Sequence, residues 1–104
     1  MFFLSPKKDI NKGLKEFNHT PGAVLVDVRS KDEYSIGHVP GSVNLPLNKL
    51  KKATSLIPDS EVAIFVYCLN GGRADRAVKR LKRMGYTNCR SIGGLTGYKG
   101  KLKK

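Results

Sequence analysis

Ile64-Phe65-Val66-Tyr67-Cys68-Leu69-Asn70-Gly71-Gly72-Arg73-Ala74-Asp75-Arg76 runs from an apolar, β-branched and aromatic segment through a cysteine and two glycines into a helix-period sequence. That order predicts strand, loop and helix. It places a thiol at the carboxyl end of a strand, in front of a helix amino terminus. The unpaired N–H groups and the dipole of such a terminus favour an anion, and the anion is the reactive form of a cysteine. Gly71 and Gly72 allow the loop backbone to curl with its amides inward as an anion nest. A lone cysteine at a strand end is more often a small buried hydrophobe. Two glycines and an arginine directly after it are poor choices for closing a core, so the reactive reading is favoured for Cys68.

Working outward, the segments on either side repeat the same alternation. On the amino-terminal side, Ser5-Pro6 reads as a helix cap with proline at the first helical position. Ile10, Leu14 and Phe17 then share one helical face, although Gly13 weakens the helix. The helix is expected to end near Asn18, before the turn at Thr20-Pro21-Gly22. Ala23–Val28 is a continuous apolar run suited to a buried parallel strand. Ser30-Lys31-Asp32-Glu33 is a capping box that opens a short helix, which Gly37 stops. Ser42–Leu45 is a brief strand, and Pro46 starts a helical stretch that runs out by Pro58. Beyond the cysteine, Ala74, Ala77, Val78, Leu81 and Met84 form an apolar stripe, while Arg76, Lys79, Arg80, Lys82 and Arg83 face water. Gly85 is a helix C-cap, Asn88–Ile92 a strand, and Gly93-Gly94 leads into a last short turn. Strands alternating with helices imply a parallel sheet covered on both faces. Ligands of such sheets bind outside the carboxyl ends of the strands, where both Cys68 and Asp27-Val28-Arg29 fall.

At 104 residues the chain is expected to be one domain, residues 1–104, large enough for a single core. The composition, 39% hydrophobic and 27% charged, is that of an ordinary globular protein. No apolar run approaches the roughly 20 residues that span a bilayer, and the start lacks the pattern of a signal peptide. The expected location is the cytoplasm, with Cys68 and Cys89 as free thiols. Twenty basic residues against eight acidic ones give a formal charge of +12. Such a field attracts anions. No nucleic-acid motif and no interleaved aromatic residues accompany it, so no specific nucleic-acid partner is expected. Two cysteines and two histidines without ligand spacing give no metal site.

Four segments, in order, resemble the single-domain rhodaneses, the sulfurtransferase family. They are Leu25-Val26-Asp27-Val28-Arg29, Glu33 through Gly37-His38-Val39-Pro40-Gly41 to Pro46, Tyr67-Cys68 with its loop to Arg73, and Gly85-Tyr86 through Ile92-Gly93-Gly94. Together they extend from near residue 23 to residue 98. The resemblance implies an α/β fold: an open, mostly parallel five-stranded sheet with helices on both faces. It also implies a sulfurtransferase of sulfur metabolism that needs no cofactor. Its cysteine would take sulfane sulfur from thiosulfate or a protein persulfide donor, hold it as a persulfide, and pass it to a thiol or cyanide acceptor. By position Cys68 is the nucleophile, and Leu69, Asn70, Gly71, Gly72 and Arg73 form the cradle. An acidic protein partner is a further candidate for so basic a surface. Two alternatives stand beside this reading. One is a non-catalytic binding module; the other is a cysteine-dependent phosphatase or arsenate reductase. Related phosphatases have five residues between cysteine and arginine. Four intervene here, a ring that suits one sulfur atom better than a phosphoryl group. Ala74 departs from the serine or threonine frequent in the family, and Tyr98 stands where tryptophan is common.

Asp27 and Arg29 support the site edge, as an ion pair with loop hydrogen bonds rather than by steering a donor. Glu33 belongs to its capping box. His38 is a structural hydrogen-bonding residue, because a thiolate already formed needs no base, and His19 lies on the surface. Cys89 is an inert core thiol rather than a resolving partner. Arg73 is the one arginine with a direct route to a bound anion.

Overall fold

A computed structural model describes residues 8–104. The elements are α1 (Ile10–Asn18), β1 (Val24–Asp27), α2 (Lys31–Ile36), β2 (Val43–Asn44), α3 (Ala53–Leu56), β3 (Ile64–Cys68), α4 (Gly72–Arg83) and β4 (Cys89–Gly94). A 3-10 segment, Leu47–Lys52, leads into α3, and another, Leu95–Gly97, follows β4. The sheet order is β2-β1-β3-β4, and every neighbouring pair is parallel.

The described residues thus form four strands, not the five expected. Only β1 and β3 have the apolar, β-branched character of a central buried strand; β2, Val43-Asn44, and β4, Cys89–Gly94, add to the two sides of that pair. The other segments are helix-periodic or broken by glycine and proline. The one further strand-like contact is an isolated antiparallel bridge between His38 and Lys103.

Both faces are covered because side chains alternate along the strands. On β3, Ile64, Val66 and Cys68 join a core with Ala74, Ala77 and Leu81 of α4. Phe65 and Tyr67 join a second core with Ile10, Leu25 and Ile92, against which Leu14 and Phe17 of α1 pack. The expected cap at Ser5-Pro6 lies outside the described residues. The N-cap of α1 is Asp9, which accepts from Asn11 N at 2.9 Å. Gly13 has a packing reason: a Cβ there would collide with the Ile92 side chain. The residue that weakens the isolated helix lets it lie close on the sheet.

The capping box is present. Ser30 Oγ accepts from Glu33 N, and Glu33 Oε1 accepts from Ser30 N. Tyr67 is wholly buried, and its hydroxyl accepts from Val39 N at 3.0 Å and lies 3.1 Å from Ser42 Oγ. That bond ties the loop before β2 to the centre of the sheet.

Candidate active site

The apolar residues of β3 carry the chain through the core and release it at Cys68. Gly71 then turns with φ +101°, a left-handed conformation that favours glycine, and serves as N-cap of α4. The turn brings two amides onto the thiol. Gly71 N lies 3.0 Å and Ala74 N 3.4 Å from Cys68 Sγ, which accepts from both. Cys68 itself is fully buried. The sulfur therefore sits at the positive end of a 12-residue helix, against two backbone donors.

Of the five loop residues named from sequence, Leu69 and Asn70 are exposed and Gly71 and Gly72 shape the turn. Arg73 lies in the first turn of the helix and reaches back to α2. Its Nη1 and Nη2 donate to Glu33 Oε1 and Oε2 at 2.7 and 3.0 Å. The guanidinium is committed to a carboxylate forty positions away, rather than standing free over the thiol. Ala74, which the sequence places in the apolar stripe of the helix, also supplies one of the two amides on the sulfur.

Glu33 thus has two duties, the cap of α2 and the clamp on Arg73. The Arg73 hydrogen bonds, followed by those from Ser30, hold its carboxyl down to about 2. A lowered carboxylate contributes stability above its ordinary range near 4.5, and that contribution is lost as pH falls through about 2. Both partners are roughly one-third exposed, so solvent screening keeps the effect small. Glu33→Gln is expected to cost at most about 1 kcal/mol at pH 7. The gap to wild type should be largely lost at pH 2, as followed by urea unfolding at both pH values.

Asp27 and Arg29 form the next edge. Asp27 accepts from Arg29 N at 2.8 Å, from Nε at 3.1 Å and from Nη2 at 2.7 Å. Arg29 Nη2 also donates to Gly37 O at 2.7 Å. Both side chains are buried. Burial works against the guanidinium charge, and the Asp27 hydrogen bonds together with the attraction of its negative charge more than offset it, so the Arg29 pKa is raised. Asn44 Nδ2 closes the edge by donating to the carbonyls of Asp27 and Arg29.

The close approach at Gly94 had no sequence signal beyond a pair of adjacent glycines. A Cβ on Gly94 would strike Leu69 O and stand 2.6 Å from Asn70 Cα. Thr96 N donates to Leu69 O at 3.1 Å. A one-residue register shift between β3 and β4 puts Gly94 opposite Cys68, so the end of β4 presses on the cradle from behind.

The remaining candidates lie apart from the thiol. His38 stacks on Tyr34, ring centroids 3.7 Å apart, with Nδ1 2.8 Å from Tyr34 O. His19 is exposed, its Nδ1 2.7 Å from Lys15 O. Cys89 is buried, and burial raises its pKa. It pairs with Ile64 at the opposite end of β3, roughly 13 Å from Cys68 along the strand direction. Among the described residues there is no cluster of metal-ligating side chains, and no helix is long and apolar enough to cross a membrane.

Comparison with known proteins matches residues 11–101 to the model of the rhodanese-like domain. The adenylyltransferase and sulfurtransferase uba4 of Ogataea parapolymorpha is 44% identical over 91 residues, covering 86% of this chain and 23% of that protein. The chain thus spans under a quarter of that relative's length. The thiosulfate sulfurtransferase PspE of Escherichia coli is 37% identical over 71 residues, 67% of this chain and 68% of that protein. Among solved structures, a rhodanese with anions from E. coli superposes with a TM-score of 0.73 at 32% identity, covering 79% of this chain and 98% of the other.

Proposed function

The chain belongs to the rhodanese-like family, and from that premise we propose that it is a sulfurtransferase working through a Cys68 persulfide. The observation that carries the reading is the pair of amides, Gly71 N and Ala74 N, converging on Cys68 Sγ at 3.0 and 3.4 Å.

The thiolate of Cys68 attacks the outer sulfur of thiosulfate. The sulfur–sulfur bond of the donor breaks, and sulfite leaves with the electron pair. The product is a Cys68 persulfide whose negative charge lies on the terminal sulfur. An acceptor thiolate or cyanide then attacks that terminal sulfur and carries it off as a persulfide or thiocyanate, returning Cys68 as thiolate. This is covalent catalysis in two half-reactions. The cradle supplies fixed donors for the charge in each half, with no reorganisation needed. The Glu33–Arg73 clamp and the Asp27–Arg29 pair hold the loop edges. The +12 formal charge draws in an anionic donor.

Intact mass of the reduced protein after brief thiosulfate exposure tests the reading. One added sulfur atom is expected, removable by cyanide or a small thiol. No adduct from thiosulfate or a persulfide donor, with Cys68 still open to alkylation, would overturn it.

Gly94→Ala probes the cradle without touching the thiol. The Gly94 backbone, φ −145° and ψ 162°, is open to any residue, so the change acts only through the collision with Leu69 and Asn70. Displacing the loop by about 1 Å is expected to slow persulfide formation on the order of 100-fold. Rapid-quench mass analysis checks the rate, and circular dichroism checks that the fold persists.

A further inference from the structure

The basic residues are not spread evenly over the surface. Between the 3-10 segment Leu47–Lys52 and the second half of α4 lies a groove of about 550 Å³. Its floor is apolar, formed by Leu47, Leu50 and Met84. Its walls are Lys49, Lys51, Lys52, Arg80 and Arg83, with no acidic residue among the lining side chains. Lys8, Arg29, Arg73 and Arg90 each hold a carboxylate. Among the described residues, none of the five groove cations does. Leu47, Asn48 and Arg80 also line a second hollow of about 330 Å³, which continues to Ser30 and Arg73. Arg83 lies ten residues beyond Arg73 in the helix, so the combined trough follows α4 for roughly 15 Å and ends at Arg73, the last residue of the Cys68 loop.

We propose that this trough docks an acidic, amphipathic segment of a partner protein that gives or takes the sulfur. The proposal rests on the sulfurtransferase reading for its purpose, but not for its binding. Unpaired cations facing one hollow call for carboxylates, and their field speeds encounter. The Leu and Met floor calls for apolar side chains between those carboxylates. RNA fits less well: no aromatic residue lines either hollow, so bases find no stacking platform. A segment laid along the trough leads its reactive end to the Arg73 side of the cradle.

The test uses Cys68→Ser protein, so that binding is read apart from sulfur chemistry. Three fluorescent probes are compared by anisotropy: a 14-residue Glu/Leu amphipathic peptide, an all-Glu 14-mer and a 14-nucleotide oligouridine. The Glu/Leu peptide is expected to bind most tightly, and at least tenfold more weakly to a variant that also carries Lys49→Glu, Lys52→Glu and Arg83→Glu. Charge reversal at Lys12, Lys15 and Lys31 on other elements should change its affinity less than twofold. Equal weakening by both triple variants would reduce the effect to net charge and overturn the site. Oligouridine binding as tightly as the peptide, and lost with the groove residues, would overturn the protein partner. Failure of thiosulfate labelling on wild-type protein would instead count against the sulfurtransferase reading and leave the binding result standing.

Discussion

Cys68→Ser is expected to lower thiosulfate-to-cyanide sulfur transfer by a factor on the order of 10⁴ or more, as loss of a covalent nucleophile does in other enzymes. The serine hydroxyl would meet the same two amides, Gly71 N and Ala74 N, so the cradle stays filled. Oxygen cannot carry the transferred sulfur as a persulfide, and a hydroxyl is far from ionised at neutral pH. The variant should stay folded: one sulfur is exchanged for a smaller polar atom that already has donors around it. Thiocyanate production read against a thermal melt separates the two effects. Retained turnover with an unchanged melting temperature would remove Cys68 from the chemistry.

Asp27→Ala should produce the largest loss of stability, about 3–5 kcal/mol. The substitution leaves Arg29, only 5% exposed, as a buried cation whose guanidinium keeps only the Gly37 carbonyl as acceptor. For a domain of this size that corresponds to a fall in melting temperature of at least about 12 °C. Adding Arg29→Met to Asp27→Ala should recover a substantial part of the loss, because the unpaired charge is then gone. Scanning calorimetry of the single and double variants decides the matter. A single variant within about 1 kcal/mol of wild type would mean that water reaches Arg29.

The sequence was most informative where the cause of structure is local. An apolar β-branched run, two glycines and a 3.6-residue period led to β3, the cradle turn and α4 with ends within a few residues of those observed. Ser30 and Glu33 announced α2 through a bond three residues long. What stayed hidden depends on contacts distant in the chain. No periodicity reveals that Glu33 also clamps Arg73, or that Gly94 lies against Leu69. The fifth strand came from the family resemblance and had no apolar run of its own among residues 8–104. The trough along α4 was invisible for a similar reason. Its cations come from two segments about thirty residues apart, each of which alone looks like an ordinary solvated face.

Tyr67 and Cys68 are neighbours in the chain, yet they point to opposite sides of the sheet and serve different cores. This makes β3 intolerant of changes in length. Deleting one codon within Ile64–Val66 would reverse the parity of the strand, sending the thiol toward α1 and the phenol toward α4. Deleting two would restore the parity but draw the cysteine back by roughly 7 Å, beyond reach of the Gly71 amide. Variation in the length of this chain is therefore confined to its turns. The stretch from Ile64 to Cys68 can change its letters but not their number.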